Sequence, residues 1–289
     1  MAVEAERVRP TAGGPNTPPF FNLTSDNDMI GIFDSGVGGM TVAKAVEQAL
    51  PDHRLIYFGD LARTPYGSKS PETITEYARQ DSRFLLDHGA QLIIIACNTA
   101  ASIASDQLRR EFDVPIFEVI TPAVDKAVAT STTGRIGVIG TRATINSGVY
   151  KEKIHSHAPL AKVFSHPCPL LVPLVEEGWL DKRETKMILR RYLSPLKRQQ
   201  VDTLVLGCTH YPLLKDLIQP RIGKRTQVID SSQEVAACLK NYLAAHPELD
   251  QQLRHNGTNR YYVSDVTEAA GATARRIFGR PMELIKVTI

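Results

Sequence analysis

Two stretches far apart in the chain carry one pattern. Leu92-Ile93-Ile94-Ile95-Ala96 ends at Cys97-Asn98-Thr99, and Leu204-Val205-Leu206-Gly207 ends at Cys208-Thr209-His210. Each is a short continuous apolar run, as expected of a strand buried on both faces. Each delivers a thiol to a polar, hydroxyl-bearing turn that opens a helix. Such strand-to-helix junctions are where α/β sheets hold ligands. The pattern therefore predicts an α/β fold with a thiol at a strand's carboxyl end in two separate places.

The rest of the chain fits that frame. From Met29 onward, apolar runs at 29–33, 55–58, 92–96 and 116–120 alternate with amphipathic stretches. Ser70 is a candidate N-cap, Pro71 the first helical residue and Gly89 the stop of a helix between the second and third runs. A second cycle places a strand at 136–139, a helix at 143–155, and strands at 162–165, 203–207, 227–230, 261–264 and 284–288. This alternation argues for mostly parallel sheets with crossover helices.

An internal echo sharpens the reading. Ile30-Gly31-Ile32-Phe33-Asp34-Ser35 matches Ile136-Gly137-Val138-Ile139-Gly140-Thr141, and each copy precedes one of the cysteines by a similar distance. Two copies at this spacing predict two pseudo-symmetric Rossmann-like or flavodoxin-like α/β domains, with the active site in the cleft between them. The expected division is a flexible tail over 1–28, a first domain over 29–121 plus 232–289 carrying Cys97, and a second over 122–231 carrying Cys208. The tail is expected to be flexible because it is rich in Pro, Gly, Thr and Asn and has no periodicity.

Composition narrows the function classes. Acids and bases are interspersed, the formal charge is +3 and 43% of the 289 residues are hydrophobic, so no nucleic-acid partner is expected. No run reaches the roughly 18 to 20 apolar residues of a spanning helix, and no secretory signal is visible, so no membrane partner is expected either. Four cysteines without a dense framework or knuckle spacing fit a reducing cytoplasm.

A lone cysteine is ordinarily a packing residue, and Cys168 and Cys238 are assigned to packing or loop roles. Cys97 and Cys208 differ because they are matched, and because polar neighbours at helix N-termini favour a thiolate and a bound carboxylate. Asp34-Ser35-Gly36-Val37-Gly38-Gly39 follows a strand and opens a helix at 41–50, so its backbone amides can approach an anion closely. A dinucleotide site competes for this turn, with Asp60 near the ribose-binding position. Against it, Thr41 stands where the third glycine belongs, and Asp34 would repel a pyrophosphate. Pro65-Tyr66-Gly67 reads as a loop over the same cleft, and Glu176-Glu177 as a helix end. Cys208 and His210 could form a nucleophile pair or, with Cys97, a metal site. Cys208 and His210 are expected to point in different directions, and only three ligands exist, so zinc is not expected.

Taken in order, Asp34-Ser35-Gly36-Val37-Gly38-Gly39, Gly59-Asp60, Pro65-Tyr66-Gly67, Ala96-Cys97-Asn98-Thr99-Ala100, Val172-Pro173-Leu174-Val175-Glu176 and Leu206-Gly207-Cys208-Thr209-His210-Tyr211-Pro212-Leu213-Leu214 resemble the glutamate racemases of the cofactor-independent aspartate/glutamate racemase family. The resemblance runs along nearly all of 30–289. It implies that L- and D-glutamate are interconverted, with D-glutamate supplied to peptidoglycan synthesis; aspartate is the rival substrate. Cys97 and Cys208 would exchange a proton on opposite faces of Cα, one as thiolate and one as thiol. Asp34 beside Cys97 and His210 beside Cys208 would orient or relay. Glu176, with Glu177 as the neighbouring alternative, would assist His210 or hold the ammonium. Ser35, Tyr66, Gly67, Asn98, Thr99 and Thr209, with Asp34 and His210, would bind substrate. No cofactor and no metal are implied. In some longer relatives an N-terminal extension lies near the site of an activating peptidoglycan precursor, a role weighed here against a plain disordered tail. A homodimer is left open.

Overall fold

A computed structural model describes residues 28–254 and 257–289; the tail read from 1–28 thus lies, but for Asp28, outside the described residues. The strands are β1 (Met29–Asp34), β2 (Leu55–Gly59), β3 (Ala90–Ile95), β4 (Ile116–Glu118), β5 (Arg135–Gly140), β6 (Lys162–Pro167), β7 (Thr203–Gly207), β8 (Gln227–Asp230), β9 (Arg260–Val263) and β10 (Ile285–Lys286). They form a six-stranded sheet ordered β10-β9-β2-β1-β3-β4 and a four-stranded sheet ordered β6-β5-β7-β8. Every ladder in both sheets is parallel. The α/β class and its parallel sheets are therefore as expected.

The order β2-β1-β3-β4 recurs as β6-β5-β7-β8, which is the architectural form of the sequence echo. Each repeat starts on its central strand, and the third strand pairs beside it, Phe33 opposite Ile95 in one sheet and Gly140 opposite Gly207 in the other. A cysteine follows each third strand. These inner strands are sealed on both faces: Ile30, Ile32, Ile93, Ile94, Leu204, Val205 and Leu206 have no exposed surface. That burial explains why they read as unbroken apolar runs.

The helix Pro71–Asp87 starts on Ser70, whose hydroxyl accepts the Thr73 N–H, and the chain leaves it through Gly89 at φ 92°. Cys97 caps the helix Asn98–Glu111. Three local expectations need correction. The run at 116–120 is a strand only to Glu118, because the buried Glu118 carboxylate accepts the N–H groups of Ile120 and Thr121 and starts the helix Ile120–Thr130. The helix expected at 143–155 is two helices, Arg142–Asn146 and Val149–His157, parted at Gly148 with φ 75°. Beyond Cys208 the chain makes a 3-10 turn, Tyr211–Leu214, before the α-helix Lys215–Ile222, so the two thiols sit in similar but unequal junctions. No helix among the described residues is long and apolar enough to cross a membrane.

Candidate active site

The glycine-rich turn after β1 does hold an anion, and the anion is its own. Oδ2 of Asp34 accepts the N–H groups of Gly36 at 3.1 Å and Gly39 at 2.9 Å, and Oδ1 accepts the Thr209 hydroxyl at 3.4 Å. The turn is then pressed against the second sheet, where the Thr41 hydroxyl donates to the Thr209 carbonyl at 3.1 Å. A Cβ on Gly39 would lie 2.3 Å from the Asp34 Cβ, and one on Gly38 2.5 Å from Nδ1 of His210. The glycines therefore serve close packing within the protein. Asp60, the ribose-binding candidate, is fully buried and engaged by Arg63, Tyr66 and Ser264 at 2.5, 2.5 and 2.9 Å. Neither half of a dinucleotide site is free.

A cavity of about 390 Å³ opens where the carboxyl ends of the two sheets meet. Cys97 and Cys208 both line it, joined by Ser35, Tyr66, Gly67, Asn98, Thr99, Glu176, Thr209 and His210. Asp34 alone among the expected residues stands behind the wall, fully buried. Burial raises its carboxyl above the usual range, opposed by the charge of His210 and the bonds from Gly39, Gly36 and Thr209.

The two thiols, each 5% exposed, have different electrostatic settings. Cys97 Sγ lies 3.4 Å from Ser35 Oγ as a donor. Burial, reinforced by the Asp34 charge, pushes its pKa up to about 12, so it keeps its proton at neutral pH. Cys208 Sγ lies 3.8 Å from His210 Nδ1, and His210 Nε2 lies 3.2 Å from Glu176 Oε1. Burial works against the imidazolium, yet the bonds to Cys208 and Glu176 outweigh it and raise His210 to about 10. The expectation that residues 208 and 210 diverge fails: strand alternation itself sets residues two apart on one side, and in the turn past β7 the two side chains lie 3.8 Å apart. Glu177 is exposed, and Glu176 makes the contact. Among the described residues no three His, Cys, Asp or Glu side chains converge on a metal site.

Polar side chains complete the walls. The Tyr66 hydroxyl is engaged by the buried Asp60 at 2.5 Å and Asp81 at 2.9 Å. Thr99, Thr141 and Thr144 join their hydroxyls at 3.0 to 3.3 Å across the two halves. Sequence reasoning missed Thr141 and Arg142, which also line the cavity. The echo held the signal for Thr141, since it aligns with Ser35; nothing marked the exposed Arg142. The arrangement supplies one enclosed space with a protonated thiol on one side and a thiol coupled to an imidazolium on the other, a setting for proton transfer in both directions.

Residues 40–239 match the model of the family described as Asp/Glu/Hydantoin racemase. A glutamate racemase from Geobacter metallireducens is 45% identical over 250 residues, covering 86% of this chain and 92% of the relative. The solved glutamate racemase isoform RacE1 of Bacillus anthracis superposes with a TM-score of 0.86 at 33% identity, over 91% of this chain and 98% of that one. The Francisella tularensis enzyme, solved in complex with D-glutamate, gives 0.83 at 35% over the same shares. The chain thus belongs to the Asp/Glu/hydantoin racemase family and is an amino-acid racemase.

Proposed function

We propose that this chain interconverts L- and D-glutamate through Cys97 and Cys208, acting on opposite faces of the substrate Cα. The observation that carries the reading is that equivalent strands of the two sheets, β3 and β7, deliver their thiols into one cavity. A thiolate on one side removes the Cα proton, breaking C–H and forming S–H, while the electron pair passes into the α-carboxylate. The thiol on the other side then returns a proton to the opposite face. The thiolate and thiol have exchanged places, and the reverse reaction begins from that state. Starting from the form in which Cys97 keeps its proton and His210 is an imidazolium beside Cys208, Cys208 is the base and Cys97 the acid.

In this reading Glu176 holds His210 protonated, and Asp34 acts from behind through Thr209 and on Cys97. Ser35, Asn98, Thr99, Thr209 and the Tyr66-Gly67 main chain hold the carboxylates and the ammonium. The two folding units are 29–121 with 232–289, and 122–231, each contributing one thiol. The relatives named glutamate racemase support glutamate over aspartate. We place the enzyme in the cytoplasm, where it would supply D-glutamate to peptidoglycan synthesis. Proton NMR in deuterated water tests this: the Cα proton of L-glutamate should vanish as D-glutamate accumulates, without added cofactor. Exchange with aspartate alone would move the substrate assignment. A parallel arm with a UDP-muramoyl precursor reads out activation, and no exchange in any arm would overturn the reading.

A further inference from the structure

We infer that Tyr150, a residue with no place in the cavity wall, is a positioning residue that fixes which end of the Asn98 amide the substrate meets. The inference rests on the glutamate reading above. Tyr150 is the second residue of the helix Val149–His157, which starts after the left-handed Gly148. It is 2% exposed and lies against the end of β7, where a Cβ on Gly207 would come within 3.2 Å of its ring. Its hydroxyl donates to Oδ1 of Asn98 at 2.6 Å, across from one sheet's unit to the other's. Among the described residues, Nδ2 of the same amide is buried with no hydrogen-bond partner, although Asn98 lines the cavity.

The donor count fixes this orientation. With Oδ1 toward Tyr150, the phenol proton has an acceptor and only the amide N–H groups lack one. With the amide reversed, the phenol proton would lose its acceptor, and a buried Oδ1 would be left without a donor. Tyr150 therefore makes Asn98 a donor toward the cavity. A donor takes a carboxylate oxygen and rejects an ammonium, so Asn98 is committed to a substrate carboxylate, and binding gives the orphaned amide its missing partner. Without the phenol the amide can turn over and offer an oxygen, which a carboxylate avoids.

A double-mutant cycle with Tyr150→Phe and Asn98→Ala, read as KM and kcat for both enantiomers, tests the coupling. Tyr150→Phe is expected to raise KM about tenfold in both directions and to leave kcat within about twofold. The double variant is expected to be no worse than Asn98→Ala alone. Additive effects, or a loss confined to kcat, would overturn the inference while racemisation by the unaltered protein left the glutamate reading standing. Asn98→Asp is the second variant: it keeps an acceptor for Tyr150 but presents oxygen to the cavity, so its KM should rise at least as far as that of Asn98→Ala. A near-normal KM there would overturn the inference. An unaltered protein that neither racemises nor binds glutamate would overturn both readings at once.

Discussion

Cys97 and His210 hold protons for opposite reasons, and the difference sets what each substitution should do. Cys97 is a thiol because burial and Asp34 disfavour its anion, whereas His210 is an imidazolium because Cys208 and Glu176 outweigh burial. Serine at either thiol position keeps the shape but not the acidity, so Cys97→Ser and Cys208→Ser should each lower racemisation by about 10²- to 10⁴-fold or more, with circular dichroism and thermal unfolding unchanged. Chiral chromatography after incubation with each enantiomer checks this, and one single variant with near-normal turnover would refute the two-thiol assignment. Glu176→Gln removes a group that raises His210, so the alkaline limb of kcat/KM should move to lower pH, whereas Glu177→Gln should leave it in place. The same shift acts on stability. A raised folded-state pKa contributes stability that is fully present below about 6.5 and is lost as pH climbs to about 10. Denaturant unfolding from pH 6 to 10 should therefore show a smaller loss in Glu176→Gln than in the unaltered protein.

At the scale of elements, the strands were legible because parallel strands sealed on both faces read as near-continuous apolar runs, as 92–96 and 204–207 do. The helix Pro71–Asp87 was legible from Ser70 and Pro71 because those caps act locally. The break between Arg142–Asn146 and Val149–His157 was not, because the apolar spacing around it passes for one helix and only the φ of Gly148 reveals the turn. Val119 and Ile120 were read as strand because the Glu118 cap that ends β4 depends on burial. The glycine-rich turn was half legible: its sequence shows that something approaches closely, not that this is Asp34 on one side and His210 on the other. Two glycine substitutions separate these effects. At Gly148 a Cβ meets nothing within 4 Å, so Gly148→Ala bears only the left-handed backbone and should destabilise by about 1 kcal/mol, measured as a shift in urea midpoint. At Gly38 the Cβ would collide with His210 and Thr209 at 2.5 and 2.6 Å, so Gly38→Ala should lower kcat/KM far more than it lowers the unfolding midpoint.

The whole molecule is a repeat closed on itself, with β2-β1-β3-β4 facing β6-β5-β7-β8 and one thiol brought from each. That plan was legible in the echo of 30–35 by 136–141, and the shared cavity followed from it; the rim residue Arg142 did not, since a single exposed arginine carries no periodic signal. The polar bonds joining the halves around the cavity include Thr41 to Thr209, Thr209 to Asp34, Tyr150 to Asn98, and Thr99 to Thr141 and Thr144. A ligand that touches both halves adds contacts of the same kind and binds only the folded chain, so it must stabilise the whole by linkage. At a glutamate concentration one hundred times Kd, that stabilisation is about 2.7 kcal/mol. For a chain of this size it should raise Tm by roughly 4–5 °C. In the proposed reading the repeat presents a thiol to each face of Cα, so D- and L-glutamate should both produce the shift, and they should do so in Cys97→Ser as well, where slowed turnover blurs less which enantiomer is bound. Differential scanning calorimetry on that variant, with succinate as a dicarboxylate lacking the ammonium, makes the comparison. A Tm unmoved by either enantiomer at millimolar concentrations would mean that the cavity between the two sheets is not where glutamate binds.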